Sequence, residues 1–402
     1  MSAAAPLDGI RVAAFTHVAA GPYGTLQMAY LGADVIKVES STRIDYWRYR
    51  DRNNDPERSR TFIDHNKNVR SVTLNLKQPE GLALAKRLAA LSDVVVDNYS
   101  AGVMDRLGLG VADLAQLNPA TIIAHMNGLG SEGPRSHYVT FGPSLMSYVG
   151  MTYLWNHPQQ EVPVGSQASY PDYLAGVYTA YAIVAALHRR SRGAGPQVLD
   201  ISQALVTAAA IGPSMGRALN GEAVLPVGNQ DPDRSPHGSY PCAGGDDAWC
   251  VISVAGDQEW KALRLLMGNP DWACDAALQT AAGRIRERDR VDTGVAQWTS
   301  GLTPRQVMEL CQARGVAAGI VATGEDLASD PQLNNRGFMV ELEHPAMGRL
   351  RLPGNPVRFA RRKLPVRRLG PLLGQDNDQV LREVLGLSAV QIADLTELGA
   401  IR

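Results

Sequence analysis

Through its first half the chain alternates short β-branched runs with longer stretches of helical periodicity. Residues 10–15 read as a buried strand, Gly21 to Gly24 as a turn, residues 25–31 as a helix ending at Gly32, and residues 33–39 as a second strand. A strand, a helix and a strand in that order point to a parallel sheet covered by helices. The pattern returns: residues 71–76 are strand-like, 78–91 are helical, 93–98 form a β-branched strand closing in polar residues, and 121–126 form a further strand. The loop Asn127-Gly-Leu-Gly-Ser-Glu-Gly-Pro134 follows. Open parallel sheets bind ligands where strands end and helices begin. Three such ends carry His17, Asn98-Tyr99 and the glycine loop.

Further along, Ser169-Tyr-Pro-Asp-Tyr-Leu-Ala-Gly176 runs into a long apolar helix reaching Arg190. This puts Asp172 at the helix mouth, where the macrodipole and unpaired N–H groups favour an ionised carboxylate. Such a group either caps its helix or attacks an acyl carbon, and the residues alone leave both roles open. After Val198-Leu-Asp-Ile-Ser202 comes an apolar helix over 204–218, then a loop rich in Pro, Gly and Asp from 220 to 238. Composition shifts there, placing a domain boundary near residue 225. Residues 239–254, around Gly244-Gly-Asp-Asp247, read as a β-hairpin. Helices follow around Trp260, Leu263 and Leu266 and over 303–314, giving a smaller α+β domain to about residue 335. The tail carries Pro353, Pro356, Pro365 and Pro371 before a last helical pattern over 378–385.

A length of 402 residues fits two hydrophobic cores better than one. The formal net charge of −1 argues against nucleic acid or an anionic membrane as a partner. The longest apolar stretch, 178–187, is too short to cross a bilayer, and the N-terminus lacks the basic region of a secretory leader, so a cytoplasmic protein is expected. The four cysteines form no CxxC pair and read as reduced thiols. The eight histidines are scattered and HExxH is absent, so no metal is expected. P-loop, EF-hand and GxSxG motifs are also missing, and the first β-α turn lacks GxGxxG, which speaks against hydrolase, nucleotidase and dinucleotide readings.

Candidate binding groups remain. His17 either contacts a ligand or stabilises its own turn. Gly128, Gly130 and Gly133 bring backbone N–H groups close to an oxyanion or serve only the loop's need for positive φ. Lys37, Lys77 and Arg106 lie near element ends where phosphates bind, or are solvated surface charges.

The order of several blocks resembles the class III CoA-transferase family, which includes formyl-CoA, carnitine and benzylsuccinate CoA-transferases and the α-methylacyl-CoA racemases. The blocks are Thr16-His-Val-Ala-Ala-Gly-Pro22, Leu31-Gly-Ala-Asp-Val-Ile-Lys-Val-Glu39, residues 66–76 with Pro79-Glu-Gly81, residues 93–98, Leu107-Gly-Leu109, Asn118-Pro119, residues 128–134 and the Asp172 segment. The resemblance spans nearly the whole chain and is densest before residue 205. It implies an α/β fold: a large Rossmann-like domain over 1–205 completed by 350–402, a linker over 206–225, a small domain over 226–335, a second linker over 336–349, and an interlocked dimer.

It also implies Asp172 as nucleophile; the charge that each tetrahedral species places on an oxygen is expected to meet backbone N–H groups at Gly128 and Gly130. His17, Val18, Ala19, Leu74, Lys77, Asn98, Tyr99, Arg106 and Leu107 would line the coenzyme A site. Ala19 stands where formyl-CoA transferases carry Gln, and Ser40 where they carry a phosphate-binding Arg, so the phosphates are expected at Lys37 or Arg43. Coenzyme A would enter as the substrate acyl-CoA, with no tightly bound cofactor. The implied route passes from an acyl-aspartyl anhydride to an aspartyl-CoA thioester and on to the new acyl-CoA.

Racemases of the family resemble one another in a His-Asp pair after the glycine loop; here Phe141-Gly142 stands near that place and His137 is four residues early. Transfer is therefore expected over racemisation, with a non-catalytic CoA-binding subunit as a further alternative. Tyr148, Tyr170, Tyr173 and the run Met151-Thr-Tyr-Leu-Trp155 either wall a pocket for a bulky acyl group or are ordinary core aromatics. Tyr-Pro-Asp-Tyr and Pro236-His-Gly-Ser-Tyr240 are most similar to the benzylsuccinate branch. That likeness implies a dicarboxylic donor such as succinyl-CoA and an aromatic or branched acid acceptor, in a homodimer or a heteromer.

Overall fold

The computed structural model describes residues 4–49, 55–166 and 168–401. Two compact units emerge: Met1–Thr152 with Gly165–Ala223 and Arg336–Arg402, and Tyr153–Val164 with Val224–Asn335.

The first unit is built on a parallel sheet of β1 (Arg11–Phe15), β2 (Asp34–Glu39), β3 (Arg70–Thr73), β4 (Val94–Asp97), β5 (Ile122–Asn127) and β6 (Gln197–Ser202), in the order β3-β2-β1-β4-β5-β6. The chain winds outward from β1 to one edge and then from β4 to the other. The crevice beyond the carboxyl ends of β1 and β4 is thus the topological switch point, the place where such sheets bind ligands. Alternate residues of each central strand feed two cores. Val12, Ala14, Val94, Val96, Ile122 and Ala124 pack on one face with the helices Ala20–Tyr30 and Tyr170–Arg190. Ala13, Phe15, Val95 and Ile123 pack on the other with Leu84, Leu88, Leu114 and the tail residues Val380, Leu381 and Ile401.

Buried polar bonds also tie the tail to this sheet. Arg48 is 1% exposed, forks onto Glu39 at 2.8 and 3.0 Å, donates to the carbonyl of Pro371 and lies 3.7 Å from the centre of the Phe62 ring.

Several elements depart from the sequence expectation. Gly21 to Gly24 lie inside the helix Ala20–Tyr30 and not in a turn. Pro22 is tolerated there because first-turn N–H groups have no intrahelical acceptor to lose. The stretch 204–218 is two helices, Gln203–Ala210 and Gly212–Leu219, broken at Ile211 just ahead of Pro213, which has no N–H to continue the ladder. Residues 378–385 fall in the short helix Asn377–Gln379 and the wide turn Val380–Val384. The tail also forms an antiparallel hairpin, Met339–His344 with Gly348–Pro353, and a last helix, Ala389–Glu397.

The second unit holds an antiparallel sheet of His237–Pro241, Trp249–Ser253 and Ala317–Ile320, in chain order. Its helices bury Trp260, Leu263, Val291, Val295 and Val307 against it. All four cysteines are free thiols; burial pushes Cys311 up to about 11, so it stays protonated and unreactive at neutral pH. No described helix is long and apolar enough to cross a membrane.

Candidate active site

The carboxyl ends of β1 and β4 are locked together by one side chain. The His17 N–H donates to Asn98 Oδ1 at 2.9 Å, and Asn98 Nδ2 donates to the His17 carbonyl at 2.9 Å. Gly21 lets the following helix approach, since a Cβ there would meet Asn98 Oδ1 at 2.6 Å. The His17 ring stands edge-on to Tyr99 at 5.1 Å, and burial holds its pKa below the ordinary value, leaving a neutral imidazole.

Val18 takes φ of 60°, the left-handed region that a β-branched residue avoids and that typically costs about 1–3 kcal/mol. Its N–H is held by Asp45 Oδ1 at 2.9 Å. Burial works to raise the Asp45 pKa, but the Lys37 charge and the N–H groups of Val18 and Trp47 overcome it and hold the carboxylate below its usual range. The strained loop is therefore pinned by a fixed negative charge.

Lys37 is placed differently from the sequence expectation. Its ammonium is 1% exposed, pairs with Asp45 at 3.0 Å and donates to the Thr16 carbonyl, so it supports the loop from beneath and presents no free cation to a phosphate. Arg43 is exposed, close enough for its charge to act on both His17 and Tyr99. Ser40 accepts from the N–H groups of Thr42 and Arg43 at 3.2 Å and shapes the turn that carries it.

The other expected residues fall around the same edge. Tyr99 and Leu107 pack on the core that includes Leu74, itself buried. Ala19 is buried and begins the helix Ala20–Tyr30 without a side-chain cap. Lys77 and Arg106 are exposed, one just before the helix Pro79–Ala90 and the other ending the turn Val103–Arg106.

The Asp172 helix packs on the helix that follows the His17 loop through two glycines. A Cβ on Gly24 would lie 3.1 Å from the Gly176 carbonyl, and one on Gly176 would lie 3.0 Å from the Gly24 N, so the two helices touch backbone to backbone. Tyr23 and Tyr173 stack edge-on beside the contact at 4.9 Å. Asp172 lies one turn before Gly176 on the same helix.

The capping role is corrected by the geometry. Ser169 is the N-cap residue, and among the described residues no backbone N–H bonds to the Asp172 carboxylate. Burial raises the Asp172 pKa, with the neighbouring Ser169 hydroxyl opposing the rise. A desolvated carboxylate without backbone donors is more reactive than a capped one.

The glycine loop joins Asp172 through one intervening segment. Thr140 fills the space a Gly128 side chain would take, with Oγ1 1.8 Å from the would-be Cβ. Two residues on, a Cβ at Gly142 would fall 1.5 Å from Ser169 Oγ and 2.5 Å from Asp172 Oδ2. Gly130 and Gly133 take φ of 92° and 100°. Asp200 anchors the loop by accepting from Ser131 N and Oγ, each at 3.0 Å.

Gly142→Ala is expected to push Ser169 and Asp172 apart and lower any activity that depends on Asp172 about 10²-fold, the usual penalty for misplacing a reacting group by about 1 Å. Steady-state kinetics on the folded variant check this.

Of the expected pocket aromatics, Tyr173 sits in the Tyr23 contact, Tyr148 is exposed and bonded to Arg135, Tyr170 is exposed, and the run 151–155 is divided between the two units. His137 is exposed and stacks on Tyr138 at 4.8 Å. Sequence reasoning missed Asp45, Ser169 and the Gly24–Gly176 contact. Glycines inside helical patterns are a signal for close packing and were there to be used; nothing in the segment around Asp45 marks it.

Residues 7–377 match the profile of CoA-transferase family III. Formyl-CoA:oxalate CoA-transferase from Rhodopseudomonas palustris strain BisA53 is 30% identical, over 98% of this chain and 97% of its own. Succinyl-CoA–D-citramalate CoA-transferase from Chloroflexus aurantiacus is 31% identical over 97% and 96%. A probable CoA-transferase of Mycobacterium tuberculosis is 33% identical over 96% of this chain, which spans about half, 49%, of that longer relative. Among solved structures, a CAIB/BAIF family protein from Brucella suis superposes with a TM-score of 0.88 at 26% identity, over 95% of this chain and 100% of its own.

Proposed function

Because this chain belongs to CoA-transferase family III, we propose that it moves coenzyme A from an acyl-CoA donor to a carboxylic acid through covalent intermediates on Asp172. The observation carrying this reading is the desolvated Asp172 carboxylate, free of backbone caps and set with Ser169 against Gly142, just past the glycine loop. An aspartate needs no general base to attack a thioester, because it is ionised at neutral pH. The acyl-aspartyl anhydride, the aspartyl-CoA thioester and a second anhydride then follow in turn. Charge on the donor's acyl oxygen would meet N–H groups of the glycine loop.

His17, Val18, Asn98, Tyr99 and Leu107 would hold the thiol arm, with Leu74 behind them. Arg43, Lys77 and Arg106, all exposed at this edge, are the cations for the phosphates. Succinyl-CoA is the proposed donor and a bulky or branched acid the acceptor. Ala19 and Ser40 argue against formyl transfer, while one relative is named for succinyl-CoA. Racemisation requires a second proton-transfer group across the α-carbon. Position 142, packed on Asp172, is glycine, and His137 points into its contact with Tyr138, which favours transfer. Val177, Tyr181 and Val184 form an exposed apolar stripe on the Asp172 helix and support an assembly of two copies, proposed to work in the cytoplasm.

The test incubates the protein with a panel of acyl-CoA donors, traps with hydroxylamine and locates the adduct by mass spectrometry. Modification of Asp172 by succinyl-CoA is expected. Exchange of α-protons in heavy water without any adduct would establish the racemase instead. The rate should rise with pH along an acid limb whose midpoint lies above that of an ordinary aspartate, since burial raises the pKa of the group that must be ionised to attack.

A further inference from the structure

Ser169 stands at the N-cap of the Asp172 helix, where a serine ordinarily accepts a hydrogen bond from a first-turn N–H. Its side chain makes no such bond. Its Oγ is shut off from solvent and has no strong hydrogen bond among the described residues, the Asp172 carboxylate being the acceptor beside it. Gly142 reveals where the hydroxyl is directed. One point in space, the would-be Gly142 Cβ, is 1.5 Å from Ser169 Oγ and 2.5 Å from Asp172 Oδ2. The two oxygens therefore lie within about 4 Å of each other, in reach of a small rotation or one bridging water. This neighbour makes the two carboxylate oxygens of Asp172 inequivalent.

We propose that Ser169 is a catalytic residue: its hydroxyl donates to Asp172 Oδ2, keeps that oxygen as the carbonyl oxygen throughout the cycle and leaves Oδ1 as the attacking atom. The inference rests on Asp172 being the nucleophile. Oδ1 bonds to the acyl carbon of the donor, and the C–S bond breaks to release the thiolate. The thiolate then bonds to Asp172 Cγ while the carbonyl electron pair moves onto Oδ2. Return of that pair breaks the Cγ–Oδ1 bond, and Oδ1 leaves with the donor acid. The acceptor carboxylate attacks Cγ, again placing charge on Oδ2, and expels the thiolate. The thiolate finally attacks the acceptor's acyl carbon and frees an aspartate that now carries one acceptor oxygen. Twice per cycle the negative charge rests beside Ser169, and loss of one such donor typically lowers kcat by about 10²–10³-fold.

The test turns over succinyl-CoA with succinate carrying heavy oxygen in its carboxylates and weighs the Asp172 peptide after many cycles. One heavy oxygen is expected in wild-type Asp172. Ser169→Ala is expected to lose about 10²-fold in kcat with KM little changed and to take up two heavy oxygens, because either oxygen then attacks. Ser169→Thr keeps the hydroxyl and is expected to return to one. Two heavy oxygens in the wild-type protein, or one in a fully active Ser169→Ala, would overturn the role of Ser169 and leave Asp172 as the nucleophile. Turnover with no heavy oxygen in Asp172 would overturn both.

Discussion

Asp172→Asn is expected to lower transfer by at least about 10⁴-fold while the protein stays folded and still binds acyl-CoA. The amide matches the carboxylate in shape but is no nucleophile toward a thioester, so the loss belongs to the chemical step. Stability should move the other way. Burial raises the folded-state pKa of Asp172, so its favourable contribution is complete only below the unfolded value and fades as pH rises through the folded one. At neutral pH the ionised group therefore opposes folding, and asparagine removes that penalty. A melting temperature equal to or above wild type at pH 7 is expected, together with lost activity. A helix cap would behave in reverse: its removal typically costs about 1 kcal/mol of stability and leaves the reaction alone. Calorimetry at pH 7, beside kcat and the affinity for free coenzyme A, separates the two.

Much of this architecture was legible because its signals are local. Runs such as Val94-Val-Val-Asp97 and the polar residues just past them read directly as strands whose ends face a site. The helix and its leading Asp172 were legible for the same reason. What escaped depends on contacts between distant segments. Gly21 to Gly24 look like a turn in isolation, yet Gly24 is there to meet Gly176 and Gly21 to make room for Asn98, a tertiary demand that overrides local preference. Lys37 looks like a surface cation on a strand end; only folding brings Asp45 over it and encloses the pair. The residues alone left Asp172 between cap and nucleophile because the sequence could not show that the hydroxyl and carboxylate turn toward position 142. The β6 edge and the tail hairpin were missed because their alternation is mixed with charged residues that one exposed face permits.

Arg48→Met is expected to destabilise the protein by about 3–5 kcal/mol, the usual result of removing one partner of a buried ion pair. Methionine still covers the Phe62 ring, so packing is largely kept and the loss is electrostatic. Glu39, 2% exposed at its side chain, would be left with the Ser71 hydroxyl at 2.6 Å and no cation in place of the fork. The Pro371 carbonyl would lose its donor, loosening the tail from β2. The effect should reach the site as well, because Arg48 sits in the turn Tyr46–Tyr49 directly after Asp45, which pins the strained Val18. A raised KM for acyl-CoA is expected beside the lower stability. Adding Glu39→Gln removes the stranded charge, so the double variant should be more stable than Arg48→Met alone. Urea unfolding of the four proteins, with unchanged m-values, measures that coupling. A double variant as unstable as the sum of its single changes would place the stabilisation in the packing around Arg48 and not in its charge.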